Sequence, residues 1–205
     1  MTEFEAFPTD FARIDEFGIV VMTVPKAAHS AIMLALATTF ASTEDPATAI
    51  KRWRSHGSVV VPQDYLSVGF CRDPLDRFRS CWQDKIATVR HVRPGLAMMG
   101  CRAGMSLDEF SDIVSETGDR DLDRHLTPQR YKFFMDGRLR VQRLFHHGAL
   151  DLEWETFGQM VLTHCGRRLA DLKRVNVSAP APYRWSERSR RSVLGRYKID
   201  VEFRA

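Results

Sequence analysis

Two short stretches hold cations and hydroxyls at the ends of apolar runs. The first reads VPKAAHSAI over residues 24–32 and places Lys26, His29 and Ser30 after a β-branched run at 17–24. A loop between a strand and a helix N-terminus presents backbone N–H groups and the positive end of a helix dipole, so it suits phosphate or sulfate oxygens. Lys26 adds a mobile ammonium there and Ser30 a hydroxyl. The second stretch reads CRDPLDRFRSCWQDK over residues 71–85. Arg72 ends an apolar run, and Asp73 and Pro74 have the types that cap and open a helix. Arg77, Ser80 and Lys85 follow on later turns, and a guanidinium fork matches phosphate oxygens in pairs. The chemistry these residues point to is the holding of a small anion through phosphate- or sulfate-like oxygens.

The remaining titratable candidates are histidines. His125 sits in an irregular segment, HLTPQ, and His29 lies inside the first loop. Either imidazole could take a proton from a hydroxyl near neutral pH, since its unperturbed pKa is about 6.5. His146 and His147 are adjacent and point apart on a regular element, so they do not read as a zinc pair. No cluster has metal-ligand spacing, and no metal is expected. The glycines and hydroxyl of GxxxxGK[ST] are missing, which argues against a P-loop-type small-molecule kinase.

These residues need elements to hold them. The run at 17–24 reads as a buried strand, the loop follows, and residues 31–40 read as a helix. Residues 57–62 and 65–71 read as two more strands, the second stopping at Arg72. Leu75, Phe78, Cys81, Trp82 and Ile86 recur at helical spacing and predict a helix over 74–88. Residues 90–105 read as a loop. Ser106 and Glu109 have capping-box spacing and open a helix to about residue 116. Residues 118–129 read as irregular, 139–146 as a strand, and 154–164 as a helix stopped at Gly166. Residues 174–182 read as coil and 186–203 as a terminal helix. Strands alternating with helices predict an α/β fold with a mainly parallel sheet and ligands at the carboxyl ends of its strands.

The chain has 205 residues, 44% hydrophobic and 27% charged, which suits one domain spanning 1–205 with no linker or repeat. A net charge of +4 and basic residues without interleaved aromatics argue against nucleic acid as a partner. Four cysteines with no CxxC spacing read as free thiols of a reducing compartment. The first ten residues do not read as a signal peptide, and no apolar stretch approaches the roughly 20 residues of a membrane span. The expectation is a cytoplasmic protein with no membrane partner. Oligomeric state is not legible.

The two loops, in this order, resemble those of the PAPS-dependent sulfotransferases, in particular the carbohydrate-modifying, family 2-like branch. That family has a VPK-type loop for the 5′-phosphosulfate and an RDPxxRxxSxxxxK segment for the 3′-phosphate. The resemblance therefore implies a P-loop-like three-layer α/β/α fold and PAPS as co-substrate. It implies that Pro25, Lys26, Ala27, Ala28, His29, Ser30 and Ala31 line the 5′ loop, with Lys26 at the leaving phosphate oxygens. It puts Arg72 and Ser80, with Arg77 beside them, at the 3′-phosphate. His125 with Pro128 and Gln129 resembles the family's HxxPQ segment, which makes His125 the first choice for general base and His29 the second. Residues 174–178 resemble a VNxS segment, and 197–203 the closing helix. The sequence departs from the family at His29, where Cys or a small residue is usual, and at LFHHGAL, where Gly148 stands near the position of an acidic residue. The implied reaction moves a sulfonate from PAPS to a hydroxyl of a carbohydrate or other small alcohol and releases PAP. A non-catalytic PAP-, PAPS- or polyanion-binding protein is the alternative.

Overall fold

A computed structural model describes residues 9–41, 43–57, 60–173, 175 and 183–202. In chain order the elements are β1 (Thr9–Ile14), β2 (Ile19–Thr23), α1 (His29–Phe40), α2 (Pro46–Trp53), β3 (Arg54–Gly57), β4 (Leu66–Cys71), α3 (Pro74–Trp82) and α4 (Pro94–Met98). They continue with α5 (Leu107–Glu116), α6 (Arg130–Phe133), β5 (Phe134–Met135), β6 (Arg138–Leu139), β7 (Arg143–His146), α7 (Leu150–Cys165), α8 (Glu187–Arg196) and α9 (Lys198–Glu202). The described chain divides into two compact units. One holds the residues up to Cys71 and those from Tyr131 to 175; the other holds Arg72–Arg130 and the residues from 183 onward.

The first unit is built on a five-stranded sheet in the order β3-β1-β2-β4-β7. β2 is parallel to β4, and β4 to β7, while β1 is antiparallel to both β2 and β3. Four strands therefore share a direction and β1 alone opposes them, so the sheet is mainly parallel in a mixed α/β fold. β2 (IVVMT) and β4 (LSVGFC) are buried at every residue, as central strands of a covered sheet must be. Alternate residues of the strands, Ala12, Ile14, Ile19, Val21, Leu66, Val68, Phe70 and Phe145, form one core with α1, α2 and α7. Phe70 is its centre, with ring centroids 5.3 Å from Phe145, 6.0 Å from Trp154 and 5.8 Å from Phe157. On the opposite side of β4, a Cβ at Gly69 would lie 2.8 Å from both Phe133 and Leu144. That position needs glycine for space.

The second unit packs Phe78, Cys81 and Trp82 of α3 against Phe110 of α5 and against Val193 and Tyr197 near the end of the chain. The helix over 74–88 runs as α3 and then a π turn at Gln83–Ala87. Ser106 and Glu109 form the capping box reciprocally.

Several boundaries differ from the sequence reading. The strand placed at 57–62 lies earlier, at β3, and residues 58–59 fall outside the described residues. The stretch 139–146 splits between β6 and β7, because the chain turns at Arg140–Gln142 where Gln142 bonds across to Ser67. The loop at 90–105 contains α4, opened by Pro94 at its first turn. The terminal helix breaks at Tyr197, whose φ of −105° and ψ of 26° leave the helical region. β1 and α2 are additional. The coil at 174–182 and the VNxS segment lie outside the described residues, apart from Val175.

Candidate active site

β2 and β4 are adjacent and parallel, with Thr23 opposite Phe70. Both inner strands therefore run out at the same carboxyl end of the sheet, and each of the two stretches follows one of them. After Thr23 the chain turns at residues 25–28. Lys26 takes φ 72° and Ala28 takes φ 58°, ψ 17°, both left-handed. Each such conformation costs a residue with a Cβ about 1–2 kcal/mol. Left-handed residues alternating with ordinary ones fold successive N–H groups into a concavity that receives an anion. Ala28 is the N-cap of the twelve-residue α1; no side chain caps it, and the first turn carries no acidic residue. Its dipole is thus left for a ligand of negative charge. Ser30 is exposed on that turn and Lys26 is half-buried. His29 is tied back to the sheet: its Nδ1 lies 2.6 Å from the hydroxyl of the buried Thr23.

The chain leaves β4 at Cys71, and Arg72 follows. Here the helix N-terminus is already served. The Asp73 carboxylate accepts from the Asp76 N–H at 3.0 Å, and Asp76 lies in the same first turn. An anion at this segment must use side chains. Burial disfavours the charge on Arg72 and holds its pKa below the ordinary value, Asp76 and Asp73 acting against that and Arg79 adding to it. A half-buried guanidinium that keeps its charge at this cost gains when a phosphate binds. Arg79 stacks over Tyr183 at 4.9 Å from the ring centroid, bonds to its hydroxyl, and pairs with Asp76 at 3.2 Å. Ser80 is half-buried two turns into α3, and Lys85 pairs with Asp84 at 2.7 Å.

A buried polar network within the second unit fixes Arg72. Gln129, fully buried, accepts the Arg72 N–H at 2.9 Å and donates Nε2 to the Arg72 carbonyl at 2.8 Å. It pairs with the main chain as a neighbouring strand would. The N–H groups of Gln129 and Arg130 donate to the two oxygens of Asp200 at 2.9 and 2.8 Å. Burial pushes the Asp200 carboxyl above its usual range, against the pull of Arg77 and these N–H groups. Arg77 is only 2% exposed, and its Nη2 donates to the carbonyls of His125 and Thr127 at 2.9 and 3.0 Å. The Tyr197 hydroxyl donates to the carbonyl between them, on Leu126, at 2.7 Å. Three successive carbonyls are thus held from inside. Arg77 accordingly sits inside the protein on main-chain carbonyls, not at the surface with Arg79.

His125 is 7% exposed, and its Nδ1 lies 2.6 Å from Asp123 Oδ1. His146, at the end of β7, has Nδ1 3.2 Å from the Cys71 sulfur. His147 and Gly148 form the following 3₁₀ turn, so no carboxylate stands where LFHHGAL departs from the family pattern. Among the described residues, no group of three or more His, Cys, Asp or Glu is placed to hold a metal ion. Also among them, no helix is long and apolar enough to cross a membrane.

The model of the sulfotransferase family matches residues 9–135, more than half of the chain and the whole of both loops. The chain belongs to the sulfotransferase family. No curated protein and no solved structure matches it. Within the family match lie all of the residues expected at the site: Pro25 to Ala31, Arg72, Arg77, Ser80 and His125. The structure gives Lys26, His29 and Ser30 to one unit of this sulfotransferase-family chain, and Arg72, Arg77, Ser80 and His125 to the other. The sequence reading missed Asp123, Gln129 as the clamp on Arg72, and Asp200 as the anchor of Gln129. The D-x-H spacing of Asp123 and His125 was the available signal for the first. The other two depend on partners 57 and 71 residues apart.

Proposed function

We propose that this chain transfers a sulfonate group from PAPS to a hydroxyl of a carbohydrate or other small alcohol and releases PAP. The observation that carries the reading is the uncapped α1 N-terminus behind two left-handed residues, Lys26 and Ala28, in a chain of the sulfotransferase family. The donors there are an ammonium, a hydroxyl and backbone N–H groups with no carboxylate among residues 24–32, a set that fits a phosphosulfate. We read the loop as P-loop-like in a three-layer α/β/α fold. When bound, PAPS supplies the activated sulfonate. Lys26 neutralises charge growing on the leaving phosphate oxygen, and the N–H groups of Ala28 to Ala31 hold the same phosphate, the Ala27 N–H being given to the Val24 carbonyl at 3.2 Å in the turn after Pro25. Arg72 and Ser80 hold the 3′-phosphate, with Arg77 positioning the segment from within. His125 takes the proton of the acceptor hydroxyl. The bond from His29 to Thr23 makes His29 a brace for the loop and favours His125 as base. The free cysteines support a reducing, cytoplasmic setting.

Titration with PAP beside 5′-AMP and ATP tests this reading. Tight PAP binding that falls at least tenfold in Arg72→Ala and in Ser80→Ala is the expected result. Equal affinity for PAP and 5′-AMP would refute it. The absence of a carboxylate at Gly148 favours, as second reading, a PAP-binding protein without transfer; sulfonate transfer from PAPS to an alcohol separates the two.

A further inference from the structure

Asp123 and His125 form a unit that the sequence reading did not assign. One carboxylate oxygen, Oδ1, receives both the His125 backbone N–H at 2.9 Å and the ring Nδ1 at 2.6 Å. The Asp123 N–H donates to the Met99 sulfur at 3.3 Å. The second oxygen, Oδ2, lies against Gly95: a Cβ there would come within 2.5 Å of it. The His125 ring stands on a main chain clamped by Arg77 and Tyr197 at residues 125, 126 and 127. Ring, carboxylate and backbone are therefore held together from three directions.

An ionised carboxylate only accepts hydrogen bonds, so the nitrogen facing it must carry the proton. Burial raises the Asp123 carboxyl, but the side-chain and backbone bonds from His125 outweigh it, with Arg124 adding to them, and the group is held below its usual range. It is a carboxylate at neutral pH. The nearby Cys101 thiol is pushed by burial, and next by Asp123, to about 11, so it brings no second negative charge.

We propose that Asp123 is a positioning residue for His125, fixing Nδ1–H toward its own Oδ1 so that Nε2 is the basic atom, and that residue 95 is glycine because the carboxylate needs that space. The proposal rests on the reading of His125 as general base. In the transfer step the acceptor hydroxyl oxygen forms a bond to sulfur and gives its proton to Nε2. The bond from sulfur to the 5′-phosphate oxygen breaks, and its electron pair stays on the phosphate. The imidazolium formed faces the Asp123 carboxylate across Nδ1 and then releases the proton to solvent.

The test uses the full chain and has a readout that does not need turnover. Long-range ¹H–¹⁵N spectra at about pH 8, above the ordinary imidazole range, report which ring nitrogen of His125 is protonated, with His125→Gln giving the assignment. The expected spectrum has Nδ1 protonated and Nε2 bare; Nε2 protonated overturns the proposal without any variant. In Asp123→Asn, kcat is expected to fall about 10²- to 10⁴-fold, the range of a misplaced general base, with PAP affinity within about twofold of wild type. Gly95→Ala, which displaces the carboxylate and leaves it charged, should lower kcat in the same direction. A kcat retained within threefold in Asp123→Asn also overturns the proposal. Failure of wild-type PAP binding defeats the functional reading instead, and the tautomer measurement still decides the positioning.

Discussion

Truncating Gln129 to alanine isolates the clamp on Arg72. The substitution removes three side-chain hydrogen bonds: those of 2.9 and 2.8 Å to the N–H and carbonyl of Arg72, and a longer one of 3.4 Å from Nε2 to Asp200, which keeps its main-chain donors. It leaves the bond from the residue 129 N–H to Asp200 in place. A buried polar group deprived of its partner costs about 1–3 kcal/mol, and two are left here. The side-chain void adds to that, while water reaching the half-buried Arg72 main chain subtracts from it. The sum is about 3 kcal/mol. Hydrogen exchange reads it locally, without requiring the two units to unfold together. At about 1.4 kcal/mol per tenfold, protection of the Arg72 amide should fall on the order of 100-fold. The amides of α1, in the other unit, should keep theirs. PAP affinity should fall at least tenfold, because the guanidinium is positioned through the main chain that Gln129 holds. Unchanged protection at Arg72, within threefold of wild type, would refute the clamp. Lost protection with unchanged PAP affinity would refute the link from clamp to ligand.

Two further outcomes follow from local geometry. Ala28→Gly removes the left-handed strain at the α1 N-cap, offset by the freedom glycine gains in the unfolded chain; thermal denaturation should show stability raised by about 0.5–1 kcal/mol with PAP binding kept. The carboxyl of Asp123 lies below its ordinary 3.8 when folded. Its contribution to stability is therefore full above about pH 4 and lost as pH falls through the folded value. Acid titration of stability should show the wild type losing more than Asp123→Asn between about pH 4 and pH 2.

The parts of the fold legible in the sequence are those set by neighbours in the chain. β2 and β4 are short, mainly apolar runs, and Asp73 with Pro74 opens α3 as cap and first-turn residue. The same pair of types, Asp45 with Pro46, opens α2, but its eight residues span little more than two turns, too short a run to stand out in the sequence. β1 reads TDFARI, and its charges hide it. Asp10 is buried because Arg54 and His56 of the paired strand β3 lie 3.5 and 3.3 Å from its carboxylate, a compensation made across the sheet. The site divides the same way. Residue types and spacing drew attention to Lys26, Ser30 and Arg72, and the resemblance to the sulfotransferases added Ser80 and His125 as expected site residues. What fixes Arg72 and His125 lies in bonds between distant segments, and no local pattern announces those.

The network behind Arg72 has an energetic logic of its own. A carboxylate as buried as Asp200 is costly to desolvate, and its raised pKa records that its bonds do not fully offset the burial. Apolar side chains of similar volume could fill such a space at no loss of stability. The sequence instead keeps Arg77, Gln129, Tyr197 and Asp200, each bonded to main chain at a defined atom. Apolar packing fills volume but does not fix direction, whereas two bonds from one amide to the N–H and the C=O of one residue do both. In the proposed function the Arg72 guanidinium meets a phosphate through paired bonds, and it gains from that direction because placement lost on binding weakens the contact itself. What the network secures is therefore orientation. Substitutions that replace the network by apolar groups should preserve folding better than they preserve binding.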